Sequence, residues 1–291
     1  MSNELHQHSI RPSKPVDPSF VGMLRLVDRV ARELECAYFV AGATARDLVL
    51  VNVYGLRPGR ATRDIDFGIA VESWEQFRLL KERLIATGKF AADRWSLQRL
   101  TYTDQSTSVS IPVDLIPFRG VASATDTIAW PPSRDTVLNV AGFEEALASS
   151  VSMELEEGFP VRVASVVGLA LLKLIAWADR GSESNKDAAD LYRLLTAYAD
   201  AGNTDRLYDH ELVLLQAAGF DMELAGAELL GRDIASLASP SALNHIRSVV
   251  KSERDVERLI NQVGRVATFG EETSRVEQTV IAFCRGVLDV R

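Results

Sequence analysis

Two periodicities divide this chain. Up to Ser165, short apolar runs and alternating segments dominate, whereas beyond it apolar positions recur every three or four residues. Residues 37–41 form an apolar run ending at Gly42 and predict a buried strand. Residues 43–53 predict a helix, and 55–60, rich in Gly, Pro and Arg, a loop. Residues 63–71 predict a second strand. Ser73 suits the N-cap of the next helix, with Gln76 completing a capping box and Phe77, Leu80 and Leu84 on one face. Residues 97–103 and 108–116 predict a hairpin. Its second arm carries Val109, Ile111, Val113 and Leu115 on one side, so Asp114 faces the other way. Shorter strands are expected near 137–140, 152–155 and 161–163.

After Ser165 the pattern predicts helices near 166–178, 186–200, 205–218, 221–238, 241–249, 252–267 and 273–289. The fold class is therefore α/β in the α+β sense: a mixed β-sheet core over 20–164, followed by an all-helical domain over 165–291. Residues 1–19, polar and Pro-containing, read as a flexible tail without the apolar core of a signal peptide.

Composition narrows the class. An apolar fraction of 47% and a charged fraction of 25% are those of an ordinary globular protein. The longest apolar run, 163–178, is broken by Lys173 and is too short to span a bilayer, so no membrane role is expected. The two cysteines, Cys36 and Cys284, lie far apart without metal-ligand spacing, and a cytoplasmic location fits them. A net charge of −8 argues against a dedicated duplex-DNA binder, leaving only local nucleic-acid contact. Arg57, Arg60 and Arg63 form the clearest basic cluster, read either as such a contact or as a solvated loop.

The chemistry concentrates before and within the second strand. Asp64 and Asp66 lie two apart and project from one side, while Ile65 and Phe67 point into packing. Two adjacent carboxylates repel unless a cation lies between them, and hard oxygen ligands suit Mg²⁺ or Mn²⁺. If the strand carrying Asp114 is a neighbour, three carboxylates converge. That arrangement holds two metal ions roughly 3.5–4 Å apart for displacement at phosphorus. An ordinary amphipathic strand carries the same D-x-D pattern, so the pair alone does not decide. Gly42 opens a helix after a buried strand, where backbone amides suit an anion and a glycine permits close approach. Thr44 adds a hydroxyl and Arg46 a cation in the first turns.

Read in order, Gly42-Ala43-Thr44-Ala45-Arg46-Asp47-Leu48, Asp64-Ile65-Asp66-Phe67 and Val113-Asp114-Leu115-Ile116 resemble the signature of the nucleotidyltransferase superfamily that includes DNA polymerase beta. The Arg46-Asp47 pair is also similar to tRNA CCA-adding enzymes. Gly42-Ala43 stands where the family has Gly-Gly or Gly-Ser, which leaves the hydroxyl role to Thr44. In the helical half, Lys173 is the only charge in an apolar helix and must be paired, by a carboxylate or by reaching solvent. Lys173 with Lys186-Asp187-Ala188-Ala189-Asp190-Leu191 is similar to the later motifs of AbiEii-type nucleotidyltransferases, which include toxins of abortive-infection toxin–antitoxin pairs.

The resemblance covers roughly residues 36–195. It implies a nucleotidyltransferase core that moves an NMP from an NTP to an acceptor hydroxyl, with Asp64, Asp66 and Asp114 as Mg²⁺ (or Mn²⁺) ligands. It further implies Gly42, Ala43, Thr44, Arg46 and Lys173 as triphosphate contacts and Asp187 as a group that helps activate the acceptor. The acceptor would be RNA such as tRNA or, in the runner-up reading, a small molecule as in antibiotic nucleotidyltransferases; a cognate antitoxin would be a partner. A nucleotide- or partner-binding protein without turnover would be expected to have lost an acid. A phosphohydrolase fits the Gly42 cradle and the four scattered histidines (His6, His8, His210 and His245) poorly.

Overall fold

The computed structural model describes residues 10–59, 62, 64–180, 184–266 and 273–289. The chain divides into two compact units at Ser165, where the hydrophobic period changes. The first unit runs α1 (Pro18–Glu33), β1 (Tyr38–Ala41), α2 (Gly42–Asp47), β2 (Ile65–Val71), α3 (Trp74–Ala86), β3 (Phe90–Ala92), β4 (Arg99–Asp104), β5 (Val109–Arg119), β6 (Thr127–Ala129), β7 (Val137–Asn139), α4 (Phe143–Ala148), β8 (Val151–Glu156) and β9 (Phe159–Val163). Seven strands form one mixed sheet in the order β3-β4-β5-β2-β1-β9-β8, and β6 and β7 make a separate ribbon. The β2–β5 and β1–β9 pairs are parallel and the others antiparallel.

Alternation along β1 and β2 sorts the core. Tyr38 and Phe67 pack on one face. On the other, Phe39, Phe118 and Phe143 pack ring against ring, fully or largely out of water. The Ser73 hydroxyl accepts the Gln76 amide at the start of α3, and the Gln76 side-chain oxygen accepts the amide of Glu72, one residue before the N-cap, so the first half of the capping box forms and the return bond shifts back by one residue.

Several expectations needed revision. The helix predicted over 43–53 is α-helical only to Asp47 and continues as a π-helix over Leu48–Val53. Residues 18–33 form α1, whose Asp17 caps it by accepting the Ser19 and Phe20 amides. Of the expected tail, residues 1–9 lie outside the described residues. From there on the chain is tied down, with Ile10 bridging Met153 and the Ser13 amide donating to the Asn52 carbonyl at 2.6 Å. Arg60 and Arg63 of the basic cluster also lie outside the described residues.

The second unit comprises α5 (Val166–Arg180), α6 (Lys186–Ala197), α7 (Thr204–Asp209), α8 (Leu212–Ala217), α9 (Met222–Leu237), α10 (Pro240–Lys251), α11 (Glu253–Val266) and α12 (Thr273–Leu288). The helix expected over 205–218 is two, α7 and α8, broken at His210–Glu211. Helices α9 and α12 approach so closely that a Cβ on Gly286 would stand 2.0 Å from the Glu228 carbonyl oxygen. Among the described residues, no helix is long and apolar enough to cross a membrane.

Candidate active site

The central feature is a row across four strands with two acids side by side at its middle. Ala41 at the end of β1 pairs with Asp66 on β2, Asp66 with Asp114 on β5, and Asp114 with Arg99 on β4. Register partners on neighbouring strands present their side chains on the same face. Asp64 lies two residues before Asp66 and so shares that face. Because β5 lies parallel beside β2, residues 48 apart in sequence become neighbours.

Gly42 sits beneath this row. Its φ of +64° is in the left-handed region, and a Cβ there would meet Asp66 Oδ2 at 1.9 Å. The carboxylate therefore occupies space that only glycine leaves open. No side chain caps α2 at Ala41, so its first turn carries the partial positive charge of a helix N-terminus toward the Asp66 side. The Thr44 hydroxyl donates to the Asp64 carbonyl at 3.3 Å, and the Thr62 hydroxyl donates to the Asp64 carboxylate. An open cleft of about 210 Å³ lies beside these groups, lined by Thr44, Thr62 and Asp64 and, on its apolar side, by Phe20, Ile65 and Ile111.

Arg99 is the functional-site residue that the linear motifs did not reveal. Its Nε and Nη2 donate to the two oxygens of Asp114 at 2.8 and 2.6 Å, and Nη2 lies 3.7 Å from Asp64 Oδ2. The bidentate pairing with Asp114 holds the guanidinium firmly charged. A sequence signal existed. Centring the hairpin on Ser106 and Thr107, where Asp104 accepts the Ser106 amide and hydroxyl, sets Arg99 opposite Asp114.

Do these residues suit a divalent cation? Among the described residues, no three acidic, histidine or cysteine side chains are drawn together tightly enough to form a closed shell. Nevertheless, the donors are hard carboxylate oxygens on one face, and a cationic group already bridges two of the three acids. Hard oxygens of this kind are the donors that Mg²⁺ or Mn²⁺ takes, and Arg99 supplies positive charge between Asp114 and Asp64.

Arg46 takes a different place from the one expected of a phosphate contact. It is only 3% exposed, pairs with Asp47 at 2.9 Å, and lies under the loop that follows α2 and its π-helical extension, where a Cβ on Gly59 would stand 3.1 Å from its guanidinium carbon.

In the second unit, α5 and α6 bring Lys173 between two buried acids, with Nζ 3.0 Å from Asp187 and 2.8 Å from Asp190. Arg180 also pairs with Asp187 at 3.0 Å. Burial opposes the charge on Lys173, but Asp190 and Asp187 outweigh it and raise the pKa above the ordinary lysine value. Burial likewise opposes the Asp187 carboxylate, and Lys173 and Arg180 outweigh it, lowering that pKa. The helix runs on to Asp179 and Arg180, and its one charge amid the apolar stretch, Lys173, is matched by carboxylates spaced for one helix face.

A mixed sheet bearing a glycine-backed row of aspartates, followed by a helical unit, defines the nucleotidyltransferase class of fold. The family model for the nucleotidyl transferase AbiEii toxin of a type IV toxin–antitoxin system matches residues 25–255, and the chain belongs to that family. Structural likeness is more distant. An antigenic nucleotidyltransferase-like protein from Paracoccidioides brasiliensis is 13% identical, with 70% of this chain and 94% of that one covered and a TM-score of 0.41. The antibiotic-resistance factor ANT(2'')-Ia is 14% identical over 70% of this chain and 99% of its own, with a TM-score of 0.38. The Thermotoga maritima CCA-adding enzyme is 13% identical over 94% and 82%, with a TM-score of 0.26. No curated protein sequence matches this one.

Proposed function

We propose that this chain is a divalent-metal-dependent nucleotidyltransferase that moves an NMP unit from an NTP to an acceptor hydroxyl and releases pyrophosphate. The observation that carries the reading is the Asp66–Asp114 register pair packed over Gly42. Asp64 and Asp66, with Asp114 as third ligand, would hold Mg²⁺ or Mn²⁺, which when bound neutralises charge on the triphosphate and on the leaving pyrophosphate. The Gly42-Ala43 turn and the Thr44 hydroxyl would receive the triphosphate at the start of α2. Arg46 would act through position, bracing the loop that precedes Asp64. Lys173 remains the proposed further cation for the phosphates and Asp187 the proposed acceptor-activating group, although each now has a partner to exchange.

The chemistry balances as a single displacement. The acceptor oxygen bonds to the α-phosphorus, the bond from that phosphorus to the bridging oxygen breaks, and pyrophosphate leaves with the electron pair. The hydroxyl proton passes to a carboxylate, Asp187 or Asp114. Arg99 orients Asp114 by donating to both of its carboxylate oxygens, which leaves Asp114 better placed to act as a ligand than to turn toward an acceptor.

Membership of a toxin family supports a cognate antitoxin as partner. An RNA acceptor such as tRNA rests on the motif resemblance, and the acidic net charge favours a small-molecule acceptor instead. A cytoplasmic location suits an NTP substrate. The test is incubation with each α-labelled NTP, Mg²⁺ and either cellular RNA or a small-molecule pool. Label should enter one pool, and chelation of the metal, Asp64→Asn or Asp66→Asn should each abolish it. Undiminished transfer under any of these conditions would refute the metal assignment.

A further inference from the structure

The loop between β3 and β4 carries an unusual residue. Of the four tryptophans, Trp95 stands out at 84% exposure, whereas Trp130 and Trp177 are buried and Trp74 packs against Phe77 and Trp130. A large apolar ring in water gains nothing for folding, and this one is not at a fraying end. The Asp93 carboxylate accepts the amides of Trp95 and Ser96 at 2.7 and 2.8 Å, the Arg99 amide donates to the Ser96 carbonyl at 3.1 Å, and the Lys81 ammonium donates to the Leu97 carbonyl. The turn is built, and it presents the indole outward with the Arg94 guanidinium 5.0 Å from the ring centre.

The segment around the loop is rich in basic residues. Of the six from Arg78 to Arg99, Arg78 pairs with Glu75 and Glu82 and Arg99 with Asp114, which leaves Lys81, Arg83, Lys89 and Arg94 against Asp93 in a protein of net charge −8. The location also matters. Across the sheet the order β1, β2, β5, β4, β3 sets Gly42, Asp66, Asp114 and Arg99 in sequence, and the Trp95 loop joins the last two strands. If the triphosphate lies at the Gly42 end, the acceptor arrives from the opposite, β4–β3 side.

We propose that this edge binds single-stranded nucleic acid, with a base stacked on Trp95 and backbone phosphates met by Arg94 and its basic neighbours, and that the strand so held supplies the acceptor hydroxyl. An exposed aromatic flanked by cations is the recurring platform for unpaired bases, since every base has a π-face and every linkage an anion. The proposal rests on the nucleotidyl-transfer reading above for the acceptor role, but not for the binding itself.

The experiment uses the full chain and fluorescence anisotropy with labelled single-stranded RNA, single-stranded DNA of the same sequence and duplex RNA. Binding of a fluorescent ATP analogue with Mg²⁺ is measured in parallel. Single strands should bind better than duplex, RNA against DNA distinguishing the two sources of the same chemistry. Trp95→Ala should weaken single-strand binding about tenfold while Trp95→Phe retains most of it. Arg94→Gln should reduce the slope of log affinity against log salt by about 0.7. ATP-analogue binding should stay unchanged in all three variants. Wild-type affinity in Trp95→Ala, preference for duplex, or no binding of any strand by the wild type would overturn the proposal. So would loss of self-association in Trp95→Ala with strand binding intact, which would make the edge a contact between copies. Failure of ATP-analogue binding in the wild type would instead count against the transfer reading, independently of the strand result.

Discussion

The carboxylate of Asp66 occupies the space where Gly42 would carry a Cβ, 1.9 Å from its Oδ2. Gly42 is also at φ +64°, so an alanine there meets both a clash and a strained backbone. Gly42→Ala should lose about 1–3 kcal/mol of stability by chemical denaturation and all nucleotide transfer. Gly42→Ala with Asp66→Ala should recover part of the stability, since the clash is relieved while the strain is not, and none of the activity. A double variant no more stable than the single would show that the two residues are not coupled.

Arg99 bridges Asp114 and Asp64, where a metal ion would also draw the acids together. Arg99→Met should cost about 1–2 kcal/mol in metal-free buffer, discounted for partial exposure. Mg²⁺ or Mn²⁺ should raise its Tm more than that of the wild type, because the ion then supplies the missing charge. Equal metal-induced shifts in the two proteins would mean that the guanidinium and the metal do not act on the same carboxylates.

Lys173 neutralises two buried acids, so a methionine there leaves Asp187 and Asp190 without it. Lys173→Met should destabilise by about 3–5 kcal/mol, and Lys173→Met with Asp190→Asn should regain a large part. Nucleotide affinity is therefore best measured in the double variant. A stable Lys173→Met single variant would show the pairs to be energetically idle.

Stability should form a plateau bounded by this cluster. Asp187 has a lowered folded pKa, so its contribution is complete above the unfolded value of about 3.9 and is lost as pH falls through the folded one. Lys173 has a raised folded pKa, so its contribution is complete below about 10.4 and is lost as pH rises through the folded value. The Tm difference between wild type and Asp187→Asn should be largest near neutrality and shrink on acidification below about pH 3.9. A difference independent of pH would remove Asp187 from the acid response.

Much of this protein follows from the order of its residues alone. The change of period at Ser165 separates sheet from helices, because a strand alternates every second residue and a helix returns every third or fourth. The same alternation assigns Asp64 and Asp66 to one side and opposes Asp114 to Val113 and Leu115. The Ser73 N-cap is a local device and forms as read, while the Gln76 side chain takes the Glu72 amide instead of that of Ser73. The α1 helix carries local signals, Asp17 as N-cap and Pro18 in the first turn, that the reading of a polar tail passes over. The anchoring of Ile10 and Ser13 was not legible, because their partners, Met153 and Asn52, lie far along the chain.

What only the tertiary structure decided is which side chains meet. Nothing local says that β5 lies parallel beside β2, yet that choice makes Asp114 the neighbour of Asp66 and brings Arg99, held on Asp114 across the hairpin, to 3.7 Å from Asp64. Similarly, Arg46 is a plausible phosphate ligand in one dimension and a buried brace in three, because the 55–59 loop folds over it and Asp47 satisfies its charge. Periodicity is a property of a segment and survives in the sequence; register and burial depend on distant segments packing together, and only the folded chain contains them.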